Sequence, residues 1–157
     1  MRATIVEARM GHPAVVVEGA LQPLLDLGKA AGKVGLPPQT AELVHLRAAQ
    51  INGCSWCTRQ HALDLKNAGA TDDRVYSVAA WREAPYFTEA ERAALALTEA
   101  ATRLADRPDP VPEEIYEEAA RHYDERALAA LAIEIALVNL WNRLNVIVGQ
   151  PAGAYPG

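Results

Sequence analysis

The chain has 157 residues, half of them hydrophobic and 22% charged, with a net charge of −5 at pH 7. That length fits one domain, residues 1–157 with a core over about 20–150, and the acidic balance excludes the bulk basic footprint of a nucleic-acid binder. No apolar run reaches the roughly 20 residues of a membrane span. The N-terminal stretch is broken by Glu7, Arg9 and Glu18 and lacks the ~7–15-residue apolar core of a secretory signal, so the sequence reads as cytoplasmic, with no membrane partner.

Ala, Leu and Glu dominate and strand-like alternation is weak, so the elements are helices. The first is predicted over 21–33, with Leu21, Leu24, Leu25 and Leu27 on its apolar side, ending at Gly35-Leu36-Pro37-Pro38. A second covers 39–51, with Leu43, Leu46 and Ala49 inward. Asn52-Gly53 is a turn signal. A third opens near Cys54 and closes near Gly69, and Thr71-Asp72-Asp73 starts a fourth that reaches Trp81. Thr88-Glu89-Ala90-Glu91 has the capping-box pattern before the apolar run 93–104. Pro112 suits the first turn of a sixth helix.

The last helix, 125–148, is apolar on nearly every side and shows little polar face. It is buried in the subunit's own core or against another subunit. Ile133, Leu137, Trp141 and Leu144 form one stripe for which both readings stand. The chain's two ends, the Pro- and Gly-dense tail after Gly149 among them, are expected to be extended or loose.

The two cysteines, Cys54 and Cys57, form a single CxxC, too few for a secreted disulfide scaffold. At 3.6 residues per turn, His61 lies about 40° round and one turn beyond Cys57 on the third helix, and Cys54 nearly aligns with it. Both sulfurs and the imidazole therefore share one face. A helix start supplies unpaired N–H groups and a positive dipole end, which favour thiolate. If Asn52-Gly53 folds the second helix back antiparallel, Glu42 stands about 15 Å from the turn and His61 about 12 Å, so the two meet. Such a pair can orient the imidazole and keep a proton within reach of sulfur.

Other readings of the same residues remain open. The cysteines are also the donors of a zinc site with His61. A closed site needs a fourth ligand, and no second CxxC or HxxxH exists; His45 could supply it, but it sits three residues from Glu42 where it can simply face solvent. Two inert buried thiols are a further reading.

The segment Glu42-Leu-Val-His-Leu-Arg, Gln-Ile-Asn-Gly-Cys54-Ser-Trp-Cys57 and His61 resembles the carboxymuconolactone decarboxylase-like superfamily, in its AhpD-like alkylhydroperoxidase branch. The pattern of that branch is Glu, eleven residues, CxxC, three residues, His, and every spacing matches. Phe87-Thr-Glu-Ala-Glu-Arg-Ala-Ala-Leu and Asn139-Leu-Trp-Asn-Arg-Leu-Asn145 are similar to later parts of the same branch. The resemblance implies an all-α bundle of about six to seven helices that assembles into trimers or hexamers. It implies reduction of an organic hydroperoxide by the dithiol, without cofactor or metal. Cys57 would attack the peroxide and become a sulfenic acid, Cys54 would resolve it, and Glu42 with His61 would relay the proton. A dithiol or a lipoyl-bearing protein would then reduce the disulfide. The chain departs from the pattern at Trp56, where some members carry a histidine between the cysteines. Trp56 is expected either to wall the pocket or merely to pack. A decarboxylase-type lyase and a non-catalytic redox-sensing or partner-binding oligomer are the rival functions.

Overall fold

The structure, a computed structural model, describes residues 7–154, all helix and loop with no strand among them. The eight α-helices are α1 (Pro13–Val16), α2 (Leu21–Gly32), α3 (Pro38–Asn52), α4 (Ser55–Asn67), α5 (Asp72–Ser77), α6 (Glu89–Thr102), α7 (Glu113–His122) and α8 (Glu125–Val148). Short 3₁₀ turns follow α5 and α6. Residues 1–6 and 155–157 fall outside the described residues, so the expectation of loose ends is addressed only from Glu7 inward and up to Ala154.

Local chemistry sets the boundaries. Thr71 and Asp124 cap α5 and α8 by accepting from Arg74 N and Ala127 N. Thr88 and Glu91 close the predicted capping box on α6 from both sides. Two starts differ from expectation. Pro112 is not in the first turn of α7 but caps it, with extended backbone. The short α1 has no apolar period to announce it: it is begun by Pro13 and capped by His12, whose Nδ1 accepts from Ala14 N.

α3 is the central rod, packed on α4, α6 and α8. From one side Leu43 and Leu46 meet Leu65, Val78, Trp81, Phe87 and Leu95. From the other, Val44 meets Ala94, Leu128, Leu131 and Ile135. Each fully buried leucine contributes roughly 1.5–3 kcal/mol of transfer free energy, which fixes the register of α3 against its neighbours. Leu43, Leu46 and Ala49 face inward as the sequence predicts.

The leucine face of α2 does not. Leu21, Leu25 and Leu27 stay exposed, because α2 lies against α8 at the rim and buries Ala31 instead.

The reading of α8 also needs correction. Its buried side carries Glu134, Asn139, Asn142 and Asn145, while Ile133 and Ile147 point outward. In the stripe singled out from the sequence, Ile133 is exposed, Leu137 buried, and Trp141 and Leu144 partly covered. α8 is also long and apolar enough to cross a membrane by length and composition, contrary to the sequence count, but half of that stretch is buried within the subunit, as in a core helix.

Candidate active site

The turn between α3 and α4 places the sulfurs. Gly53 ends α3 with φ +68°, a left-handed conformation that costs glycine little. The Cys54 N–H then closes on Ala49 O, and Cys54 becomes the N-cap of α4, its sulfur accepting from Cys57 N at 3.2 Å. Cys54 and Cys57 are joined in a disulfide, with Cα atoms 5.3 Å apart. Both are almost wholly buried. The sulfur of Cys57 also accepts from Asn145 Nδ2 of α8 at 3.4 Å. With the sulfurs bonded to each other, neither offers a thiolate to zinc.

The antiparallel turn brings Glu42 of α3 to His61 of α4, with Glu42 Oε2 3.0 Å from His61 Nδ1. The same Oε2 lies 3.4 Å from His45 Nδ1. His45 Nε2 is in turn 2.6 Å from Glu134 Oε2 on α8. His45 therefore does not face solvent, as one sequence reading had it, but is clamped between two carboxylates. A signal for it was present. His45 follows Glu42 by three residues on one helical face, and Glu134 is a lone acid in an apolar run.

Burial alone would push the Glu42 carboxyl up, but hydrogen bonds and charge from His45 and His61 overcome this and hold it at about 2. Burial alone would lower His45, but Glu134 and Glu42 raise it to about 9. Donor atoms of Glu42, His45 and His61 lie within 4.8 Å of one another, a spacing that would also suit a divalent cation. Their mutual contacts account for the arrangement without one.

The raised His45 makes a stability prediction. Its folded value exceeds the ordinary 6.5, so its contribution is complete below about pH 6.5 and is lost as the pH rises through about 9. Urea unfolding of the disulfide-closed protein should show stability falling between pH 7 and roughly pH 9.5. Tyr123, pushed up to about 12 by burial, acts in the same direction but only above its ordinary value of 10. A level profile across that window would remove the clamped imidazolium.

Cys57 and His61 share the lining of a cavity of about 440 Å³ with His12, Trp56 and Trp141, and Val15, Leu21 and Leu25 form its apolar side. Two of the leucines that α2 leaves uncovered, Leu21 and Leu25, thus roof this space. Burial lowers His12, which packs against Trp141 at 5.7 Å between ring centres. Cys54 opens instead toward a second cavity of about 730 Å³ formed with Gly149–Ala154. Trp56 walls the Cys57 cavity, the first of the two alternatives the sequence left open, and its indole N–H also donates to Ala154 O, a contact the sequence did not indicate. That bond holds the last described residues of the tail.

The model of the carboxymuconolactone decarboxylase family matches residues 19–100, a stretch that contains Glu42, Cys54, Cys57 and His61. The uncharacterized protein YdfG of Bacillus subtilis (strain 168) is 32% identical over 146 residues, covering 93% of this chain and 97% of YdfG. The chain belongs to the carboxymuconolactone decarboxylase family. Among solved structures, a protein of unknown function from Agrobacterium tumefaciens, ATU0492, aligns with TM-score 0.86 and 26% identity over 95% of this chain and all of that one. The role of antioxidant defence protein AhpD has been suggested for it. The debrominase Bmp8 aligns with TM-score 0.75 at 24% identity, over 85% of this chain and 71% of its own, which shows a shared fold. The fold is AhpD-like, as the sequence resemblance implies, with α1 an addition to the expected helix count.

Proposed function

We propose that this protein is a thiol-dependent peroxidase that reduces organic hydroperoxides through Cys57 and Cys54. The observation that carries the reading is the placement of the Cys57 end of a CxxC disulfide in one cavity with His61, whose Nδ1 meets the Glu42 carboxylate. In the dithiol form, the Cys57 thiolate attacks the terminal peroxide oxygen. The O–O bond breaks, and the alkoxide leaves as an alcohol with a proton delivered through His61. Cys57 is left as a sulfenic acid. The Cys54 thiol then displaces its oxygen as water and forms the disulfide. A two-electron dithiol donor, small or carried on a lipoyl-bearing protein, restores both thiols.

Glu42 serves as the fixed negative charge that stabilises a proton on His61, as a carboxylate does for the histidine of a triad. The apolar lining of Val15, Leu21 and Leu25 favours an organic over an inorganic peroxide. The cycle suits a reducing compartment such as the cytoplasm. Val15, Val16, Val17 and Ile147 are exposed apolar side chains, a pattern that fits burial against further copies in a trimer or hexamer.

The test is steady-state consumption of cumene or tert-butyl hydroperoxide with dihydrolipoamide as donor. Turnover that saturates in both substrates supports the reading. Consumption no faster than the donor alone ends it.

A further inference from the structure

We propose that His45, held by Glu134, is an imidazolium at neutral pH that positions Glu42 for its work on His61. The proposal rests on the peroxidase reading for the meaning of that work, but not for its own geometry. His45 Nε2 is spent on Glu134 Oε2 at 2.6 Å. Nδ1 is buried, has no hydrogen-bond partner of good geometry, and lies 3.4 Å from Glu42 Oε2. A neutral ring donating from Nε2 would leave the Nδ1 lone pair 3.4 Å from that carboxylate inside the protein, where the repulsion is strong. A proton on Nδ1 turns the same contact into attraction. A carboxylic acid at Glu134 donating to the ring would also leave a proton on Nδ1, but without the positive charge.

Every charged neighbour supports the assignment. Glu42 reaches His45 from its own helix and Glu134 from α8, while α4 contributes the His61 ring, 4.9 Å away centre to centre. Asp64 of α4 touches His61 Nδ1 only at 4.0 Å. Arg47 lies about 200° round α3 from His45, where it pairs with Glu99 of α6. The raised value of His45 agrees with this setting.

The consequence is a division of labour on one oxygen. Glu42 Oε2 is approached by His45 Nδ1 and by His61 Nδ1. Two carboxylates face the one His45 imidazolium, which leaves negative charge to stabilise a proton at His61. The proton released by the Cys57 thiol is the one held there. His45 touches no reacting atom: it keeps Glu42 ionised and its oxygen aimed.

The experiment has two arms, both independent of peroxide turnover. The first is nitrogen-15 NMR of the unmodified, disulfide-closed protein from pH 6 to 10. Both ring nitrogens of His45 should show imidazolium shifts at pH 7.5, with deprotonation only at alkaline pH. In Glu134→Gln the midpoint should move down by more than one pH unit. A ring of either neutral tautomer at pH 7.5 would overturn the proposal, and so would stoichiometric metal on the disulfide-closed protein, since a cation would then occupy Nδ1. The second arm measures iodoacetamide alkylation of Cys57 against pH in a Cys54→Ser background. His45→Gln should move the rising limb to higher pH and slow alkylation at pH 7 at least threefold, and His45→Lys, which restores a cation, should recover most of it. An unchanged limb in His45→Gln refutes the positioning role. Absence of hydroperoxide turnover in the wild type would count against the peroxidase reading while moving neither readout.

Discussion

Cys57→Ser is expected to reduce hydroperoxide consumption to the uncatalysed background, a loss of at least about 10³-fold, with the helical fold retained. A serine hydroxyl is scarcely ionised near neutral pH and is a poor nucleophile toward a peroxide oxygen, so no acid or base nearby can replace the missing thiolate. The fold tolerates the change because oxygen is smaller than sulfur and the side chain keeps its buried place, where Asn145 Nδ2 still finds an acceptor. Losing the disulfide costs little, since a bridge between residues three apart restricts the unfolded chain only slightly. Cys54→Ser should behave differently. It should complete one turnover and stop as a sulfenic acid on Cys57, which dimedone would trap at one label per subunit. If the labels fall on Cys54 in the reciprocal variant instead, the assignment of attacking and resolving sulfurs is reversed. A family member working as a lyase needs no thiol and would keep its activity in Cys57→Ser. A redox sensor would oxidise once and show no turnover in the wild type.

The sequence carried the near half of this site because its information is local. Glu42, Cys54, Cys57 and His61 lie on two consecutive helices joined by one glycine turn, so helical rise alone predicts that Glu42 and His61 meet, and they do at 3.0 Å. The far half comes from α8, some eighty residues away. Glu134 and Asn145 reach the site only after α8 packs on α3 and α4, and no spacing rule links their positions to the CxxC. A partial signal existed. Asn139, Asn142 and Asn145 recur every three residues in an otherwise apolar helix and mark a buried polar row. Asn52, at the end of α3, donates to both Asn139 and Asn142. The sequence pattern alone predicts a helix apolar on nearly every side, because its seven polar residues are too scattered among the apolar ones to mark out a polar face. The outward leucines of α2 mislead in the opposite sense. Their period shows a helix correctly, but periodicity cannot distinguish a face that fills a core from one that roofs a cavity.

Glu42→Gln should lower kcat/KM for the hydroperoxide by about 10²–10⁴-fold, the range that a proton-transfer partner commands. The substitution isolates charge from shape. Glutamine is nearly isosteric, and its Oε1 can still accept from His61 Nδ1, so the ring keeps its orientation. What disappears is the negative charge that holds a proton on His61 as the thiol gives it up. The carboxyl sits at about 2 in the folded protein, so the native side chain is ionised at any working pH and the variant removes a full charge. Glu42→Asp makes the complementary test: it keeps the charge but withdraws the oxygen by one methylene from a 3.0 Å contact. Both should fail, and for different reasons. The glutamine variant should recover as the pH rises, because hydroxide then ionises Cys57 without help. The aspartate variant should also recover, but from a smaller deficit, since a water can bridge the gap to His61. A glutamine variant within twofold of wild type at pH 7 would mean that the thiol loses its proton by a route that bypasses Glu42. The carboxylate would then be only a structural partner of the two histidines.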